Sequence, residues 1–411
     1  MLVSSPAVAN NGEMRFGLLG IDGQVAAVLR AALARGDEVV AACDVADGAR
    51  GGVVPATVRR VPWEFLMDAA TCDAVVVGRD GWNESRAEAV RKLVQAGRTL
   101  VLSQPLELSM LWAYELDMIR NDSGARLVPV LPDRLHPFVA RLRSDIEAAV
   151  AGGGPLGQIE TVEMTRRLAD RSRSNVLDHL ARDADLVRVL VGDPQRLSTL
   201  GGAAADAAWA TLAVGFTGAD AVPVRWQVAR GDHDALTVAV VGTRGTRTLD
   251  MPSGDGMAST STGPDGGERL EFDRGRAILG VLDGVASGAV KPAGWDDAAR
   301  GIELAETVPR SVAKGRAIDL HQEEFSELGT FKGTMASLGC GLVLAGLLVL
   351  ILATLVGGIA REAKWGFGER IAGAWPVAVL VVLGLFLALQ LLPLLMASPD
   401  RPGGPGGGPK T

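Results

Sequence analysis

The stretch MRFGLLGIDGQVAAVLRAALARGDEVVAACD, Met14 to Asp44, decides the fold. Arg15–Leu19 is a short apolar run with strand character. Gly20-Ile21-Asp22-Gly23 supplies turn chemistry. From Gln24 to Arg35, the residues Val25, Val28, Leu29, Ala32 and Leu33 share one helical face. Gly36-Asp37 breaks that helix, Glu38–Cys43 reads as a second buried strand, and Asp44 closes the unit. Strand, turn, helix, strand and acid form the first βαβ unit of a dinucleotide-binding fold. In such a unit the helix N-terminus meets a pyrophosphate and the acid meets a ribose hydroxyl. Asp44 stands 24 residues past Gly20, close to the expected spacing.

The glycine pattern departs from the ideal. Set on G-x-G-x-x-G, the chain offers Gly20, Asp22 and Val25. The second glycine ordinarily lets backbone approach phosphate, and here a carboxylate replaces it. An anion beside a pyrophosphate is repulsive. Gly23 offers phosphate a second way in, in a shifted geometry. The pattern therefore leaves open a βαβ unit that binds a dinucleotide and one that binds nothing.

Outward from this unit the alternation continues. Pro62–Ala70 predicts a short helix, Asp73–Val77 a strand, and Asn83 caps a helix running to Ala96 with Gly97 at its end. Thr99–Leu102 and Arg126–Leu131 are strands flanking a helix over Leu108–Arg120. Apolar strands alternating with helices predict a parallel sheet covered on both faces, a Rossmann domain over residues 14–131. From Pro132 the character changes. Helices are predicted over Phe138–Ala151 and Val176–Val191, the first followed by a strand over Gln158–Arg166. Strand-like runs then follow at Ala208–Phe216, Val222–Ala229, Ala235–Val241 and Thr246–Met251. Runs without intervening helices predict an α+β domain over 132–330 with an open, mostly antiparallel sheet. Pro252–Gly267 reads as a mobile loop, and Arg274–Ala286 and Trp295–Lys314 as two closing helices.

The chain has 411 residues, enough for two or three domains, and a formal charge of −7. That charge, with no basic stripe carrying aromatics, argues against nucleic acid as a partner. Cys43, Cys72 and Cys340 lack metal spacing and read as buried thiols of a reducing compartment. His136, His179, His233 and His321 form no ligand set, so no metal site is expected. The opening residues 1–13 lack a basic start and an apolar core. They read as a loose tail, not a secretory signal.

Near the C-terminus two runs carry no charge at all, 26 residues over Met335–Ala360 and 28 over Ile371–Ser398. Each exceeds the roughly 20 residues a helix needs to cross a bilayer. With the short charged connector Arg361–Arg370 they predict a two-helix transmembrane hairpin over 331–400, with the lipid bilayer as partner and a Pro/Gly-rich tail over 401–411. Gly341 and Ala345 form a small-xxx-small pair for helix contact. Basic residues are balanced on the two sides, three in the connector and Lys332, Arg401 and Lys410 opposite. The free thiols and the nucleotide-type unit favour a cytoplasmic globular part on a two-pass membrane protein.

Several further pieces, in order, carry a resemblance. CDAVVV is followed by AVRKLVQAGRTLVLSQPLELS. HPFVARLRSDIEAAVAGGGPLGQIETVE leads to VLDHLARDADLVRVLVGDP, and GWDDAARGIELAETVPRSVAKGRAIDL comes last. With the first unit, this series resembles the Gfo/Idh/MocA family of glucose–fructose oxidoreductases and inositol dehydrogenases, over about residues 14–320. The resemblance implies a Rossmann domain, then an α/β domain with an open antiparallel sheet that often mediates dimers. It implies NAD(P)-dependent oxidation or reduction of sugars and polyols. It places the family's Glu-Lys-Pro on Ser103, Gln104 and Pro105, and its catalytic histidine on Arg182. The family's two aspartates are kept as Asp178 and Asp185, and a histidine at a helix start falls on Arg86.

The cofactor residues so implied are Gly20, Asp22, Gly23, Asp44 and Pro105, with NAD favoured over NADP by Asp44. The catalytic candidates are Asp185, His179 and Gln104. Gln104 exchanges no proton near neutral pH and Arg182 stays protonated. His179 has Asp183 one turn on to hold its tautomer, and Asp178, Arg182 and Asp185 have the spacing of a helix-surface ion network. His136 before Pro137 reads as positional and His233 as part of a solvated turn. Two functions remain open from the sequence: a membrane-anchored NAD(P)-dependent oxidoreductase acting on a sugar or polyol, or a catalytically degenerate nucleotide- or sugar-binding module at the membrane.

Overall fold

The computed structural model describes residues 13–45, 53–55, 57–200, 207–218, 222–254, 256–287 and 294–320, with Ile351, Leu355 and Glu362 besides. The chain divides into two compact units, Met1–His321 and Gln322–Thr411, and the described strands and core lie in the first.

The first sheet contains β1 (Arg15–Leu19), β2 (Glu38–Cys43), β3 (Arg59–Arg60), β4 (Ala74–Val77), β5 (Thr99–Leu102) and β6 (Arg126–Pro129). Its order is β3-β2-β1-β4-β5-β6 and every pairing is parallel. Helices α1 (Gly23–Arg35), α2 (Glu84–Gln95) and α3 (Met110–Ser123) make the crossovers. Leu18, Leu19 and Val75 to Val77 are buried on both faces, as a doubly covered parallel sheet requires. Local signals set the helix ends. The side chains of Asp22, Asn83 and Ser109 accept from backbone amides of α1, α2 and α3. The predicted helix at Pro62–Ala70 is only a 3-10 turn over Trp63–Met67.

The second layer follows through α4 (Pro137–Val150), β7 (Ile159–Leu168), α5 (Arg173–Val191), β8 (Pro194–Leu200), the single turn α6 (Ala207–Ala210) and β9 (Ala213–Gly218). Then come β10 (Pro223–Arg230), β11 (Ala235–Gly242), β12 (Gly245–Pro252), β13 (Ala258–Gly263) and β14 (Gly266–Glu271). Helices α7 (Arg274–Ser287) and α8 (Trp295–Lys314) and strand β15 (Ile318–Asp319) end it. The sheet order is β14-β13-β12-β11-β7-β10-β9-β8-β15, with β7–β10 its one parallel pairing. The mostly antiparallel expectation holds. Two local expectations do not. Ala208–Phe216 is not one strand, because α6 occupies its first half. Pro252–Gly267 is not simply a loop, because Thr/Ser alternation there builds β13, paired with both β12 and β14. Strand β8 has no strong apolar signal, since it alternates with Arg196 and Ser198 on an exposed face.

Helix α5 sets the site. Val176, Leu180, Ala184 and Val187 bury its one side in the core. Glycine brings α8 against it. A Cβ at Gly301 would stand 2.3 Å from the Ala181 carbonyl oxygen, so only glycine permits this approach. Trp295 on α8 donates to the Ala113 carbonyl of α3 at 2.8 Å and packs edge-on against Trp112. The late helices thus return to the first sheet and lock the two layers together.

Among the described residues no helix is long and apolar enough to cross a membrane. The expected hairpin over 335–360 and 371–398 lies outside the described residues apart from Ile351 and Leu355, as do Cys340, the tail over 401–411 and, except for Glu13, the tail over 1–13.

Candidate active site

The C-terminal ends of the first sheet's strands open onto a cleft of about 840 Å³, roofed by α5. This is where ligands of open α/β sheets bind. One end is the β1–α1 turn with Asp22 and Gly23. The other is the α5 face bearing Asn175, Asp178, Arg182 and Asp185, with His179 beside it.

At the first end, Asp22 is 7% exposed and fully engaged. Its Oδ1 accepts from the amides of Gln24 at 2.8 Å and Val25 at 3.1 Å, and its Oδ2 from the Arg79 amide at 2.7 Å. The carboxylate thus sits on the positive end of α1, where a phosphate oxygen would accept the same amides. Gly23 beside it is open, for a Cβ there would meet nothing within 4 Å. Gly20 has φ of 69° and no such space. A Cβ on it would lie 2.5 Å from Arg86 Nη1, so this glycine makes room for Arg86.

Arg86 is buried and organises the corner after β2. Its Nη1 donates to the carbonyls of Gly78 at 3.1 Å and Asp80 at 2.6 Å. Its Nε donates to Asp44 Oδ2 at 2.8 Å, with a second bond from Nη2. Asp44 itself has φ of 54° and a half-exposed side chain.

At the other end, most cations have a carboxylate. Arg79 pairs with Asp178, Arg134 with Asp185 at 3.1 Å, and Arg274 with Asp133 at 2.8 Å. Arg166 pairs with Asp183, whose Oδ2 also accepts from Trp226 Nε1 at 2.8 Å. Arg182 differs. Its Nε donates to the Asp178 carbonyl at 3.3 Å, and no carboxylate among the described residues lies within 4.0 Å of it. Burial and the neighbouring Arg166 both push its pKa down. The Asp178 Oδ1 and Ser103 Oγ atoms are buried without a hydrogen-bond partner among the described residues. Burial raises the Asp185 carboxyl to about 6, against the pull of Arg134. Burial, helped by Arg182, lowers His179 to about 4, so its imidazole is neutral at neutral pH.

Of the residues marked from sequence, Asp22, Gly23, His179 and Asp185 line the cleft. Gly20, Asp44, Gln104 and Pro105 do not. Gln104 is 1% exposed and turned away, its Nε2 donating to the Ala298 carbonyl of α8 at 3.0 Å. Ser103 takes its place at the cleft wall. Asp183 does not hold the His179 tautomer, because Arg166 and Trp226 claim it. The nearest acid is Asp234 at 3.6 Å, too far for a hydrogen bond. Nor do Asp178, Arg182 and Asp185 pair with one another across α5, since Arg79 and Arg134 reach in from other elements. His136 is positional as expected: its Nδ1 accepts from the Phe138 amide and starts α4. Sequence reasoning missed Arg79, Arg134, Arg166 and Arg274, whose partners lie 17 to 141 residues away. No spacing rule joins such pairs. Among the described residues no group of three or more metal-binding side chains occurs.

No family model matches the chain, and no curated protein does. Solved structures share its fold. A myo-inositol dehydrogenase from Corynebacterium glutamicum is 16% identical, with a TM-score of 0.56 over 75% of this chain and 99% of its own. A scyllo-inositol dehydrogenase from Lactobacillus casei, with bound NAD(H) and scyllo-inositol, is 13% identical, with a TM-score of 0.56 over 75% and 99%. A levoglucosan dehydrogenase in complex with NADH and L-sorbose is 15% identical, with a TM-score of 0.60 over 75% and 99%.

Proposed function

We propose that this chain is an NAD(P)-dependent oxidoreductase acting on a sugar-like polyol. The observation that carries the reading is the cleft itself. It runs from the N-terminus of α1 to the acids of α5, across the C-terminal ends of a 3-2-1-4-5-6 parallel sheet. The neighbours that hold NAD(H) with a polyol or sugar share this fold.

The residues fit a nicotinamide dinucleotide. Gly23 leaves space at the helix N-terminus, and Asp44 keeps half its side chain in solvent to accept from a ribose hydroxyl. A carboxylate there disfavours a 2′-phosphate, so NAD is the preferred form. Asp22 alone resists, since it already uses two amides that a diphosphate would share. When bound, the dinucleotide supplies the hydride acceptor. The chain's own part is to hold the polyol and take the hydroxyl proton. Asp178 and Asp185 both face the cleft, and a carboxyl near 6 suits a base working near neutral pH. Asp185 is therefore assigned the proton and Asp178 the orientation of a hydroxyl.

The test is NADH formation by the full chain from NAD and a panel of cyclitols, sugars and anhydrosugars. Turnover that disappears in Asp185→Asn supports the assignment. Dinucleotide binding without turnover on any member returns the reading to a non-catalytic nucleotide-binding module.

Two further parts rest on the sequence. The uncharged runs over 335–360 and 371–398 support bilayer attachment of a two-pass chain, and the free thiols and nucleotide-type unit support a cytoplasmic globular part. Resistance to extraction from membranes by alkaline carbonate, and proteolysis of sealed vesicles, test it. Dimerisation through the sheet is implied by the resemblance alone, and light scattering tests it.

A further inference from the structure

We infer that the polyol this cleft takes carries an anionic oxo group, a carboxylate or a phosphate, bound by Arg182. The inference deepens the reading above and rests on it for the word polyol.

The cleft's charges are otherwise balanced locally. Arg79, Arg134, Arg166 and Arg274 each hold a carboxylate within ion-pair distance. Arg182 is half-buried on the cleft face of α5, with only a backbone carbonyl on its Nε and its terminal N–H groups still reachable from the cleft. Its forked N–H donors suit a carboxylate or phosphate, which they can meet in bidentate fashion. The partner it lacks within the described residues is supplied by the ligand.

A second, independent observation fixes the rest of the ligand. The buried Asp178 Oδ1, one turn before Arg182 on the same face, accepts from no donor among the described residues. A carboxylate oxygen needs a donor, and a ligand hydroxyl is one. On the opposite wall the fully buried Ser103 Oγ is also unpartnered, and it can donate to or accept from the same ligand. Anion at Arg182 and hydroxyl at Asp178 describe a hydroxylated acid or a sugar phosphate, not a neutral sugar.

The experiment is calorimetric titration of the full chain with D-gluconate, D-glucose 6-phosphate and D-glucose, without dinucleotide and again with NADH. At least one anion is expected to bind about tenfold more tightly than D-glucose, the order of one charge-assisted hydrogen bond. Which anion wins separates carboxylate from phosphate. Arg182→Gln is expected to bring that anion down to the affinity of D-glucose, and Arg182→Lys to keep part of the preference, which also guards against misfolding of the first variant. Equal affinity for all three ligands, binding of none, or a preference that survives Arg182→Gln overturns the inference. Because the first titration contains no dinucleotide, an anion preference can stand while NADH fails to bind. Failure of NADH would count against the oxidoreductase reading alone.

Discussion

The two ends of the cleft solve the same problem in opposite ways. At the α1 end, the charged groups are held from within, though among the described residues Asp44 keeps one oxygen free. Asp22 accepts from three amides, and Asp44 accepts from Arg86. At the α5 end, among the described residues, Arg182 has no carboxylate within 4.0 Å, and Asp178 Oδ1 and Ser103 Oγ have no partner. A polar group left open in a buried cleft marks where a ligand finishes the hydrogen bonding. A group closed by the protein marks where a ligand must compete. The cleft is thus complete where cofactor phosphate would rest and incomplete where substrate would rest.

The largest expected effect tests whether closed pairs carry the frame. Arg166 and Asp183 are both almost wholly buried. Asp183→Ala leaves the guanidinium uncompensated and is expected to cost about 3–5 kcal/mol in urea unfolding. A loss under about 1 kcal/mol would show that Arg166 finds another partner and that the closed half is less closed than described.

Next comes Gln104→Lys, which puts a lysine where the resemblance expects one. Because this side chain faces the Ala298 carbonyl and not the cleft, the variant buries an ammonium against α8. It is expected to lose about 2 kcal/mol of stability and gain no turnover. Gained activity would mean that the chain turns this residue toward the substrate.

Asp22→Gly opens the closed end directly. Glycine is a tolerable N-cap, but the Arg79 amide also loses its acceptor, so stability should fall by about 1–2 kcal/mol. Removal of the carboxylate should tighten NADH by about tenfold.

The smallest effect is in pH dependence. His179 and His136 have folded pKa values of about 4, below their ordinary 6.5. As pH falls from 6.5 to 4 the unfolded chain takes protons that the folded chain refuses, so stability falls. Asp185 acts against this. Raised to about 6 from 3.8, it takes a proton in the folded state first, so its share of stability rises as pH falls from 6 to 4. Asp117 is likewise raised by burial, so two aspartates oppose two histidines in the slope of stability against pH. His179→Asn should reduce that slope by about 1 kcal/mol per pH unit, and Asp185→Asn should steepen it.

Much of the fold was legible because its signals are local. The apolar strands, the cap Asn83 and the apolar faces of α1 and α8 are written within a few residues of each other. Strands β8 and β13 were missed because their side chains are polar on the open face, where pairing and not hydrophobic pattern defines the strand. The site was legible in part. The α5 acids showed through the resemblance, on one helix. What each side chain meets did not show, because Arg79, Arg86, Arg134 and Gln104 find partners through the tertiary fold. Asp22 taught the most. From sequence its carboxylate was a repulsion aimed at phosphate. In the structure it is also a helix cap, and the two roles are the same physics of negative charge at a helix N-terminus.

The most direct test is calorimetric titration of NADH into the full chain and into Asp22→Gly. The account predicts binding by both, about tenfold tighter in the variant. Heat from neither would contradict the claim that this cleft holds a dinucleotide, and equal affinities would contradict the claim that Asp22 competes for its phosphate position.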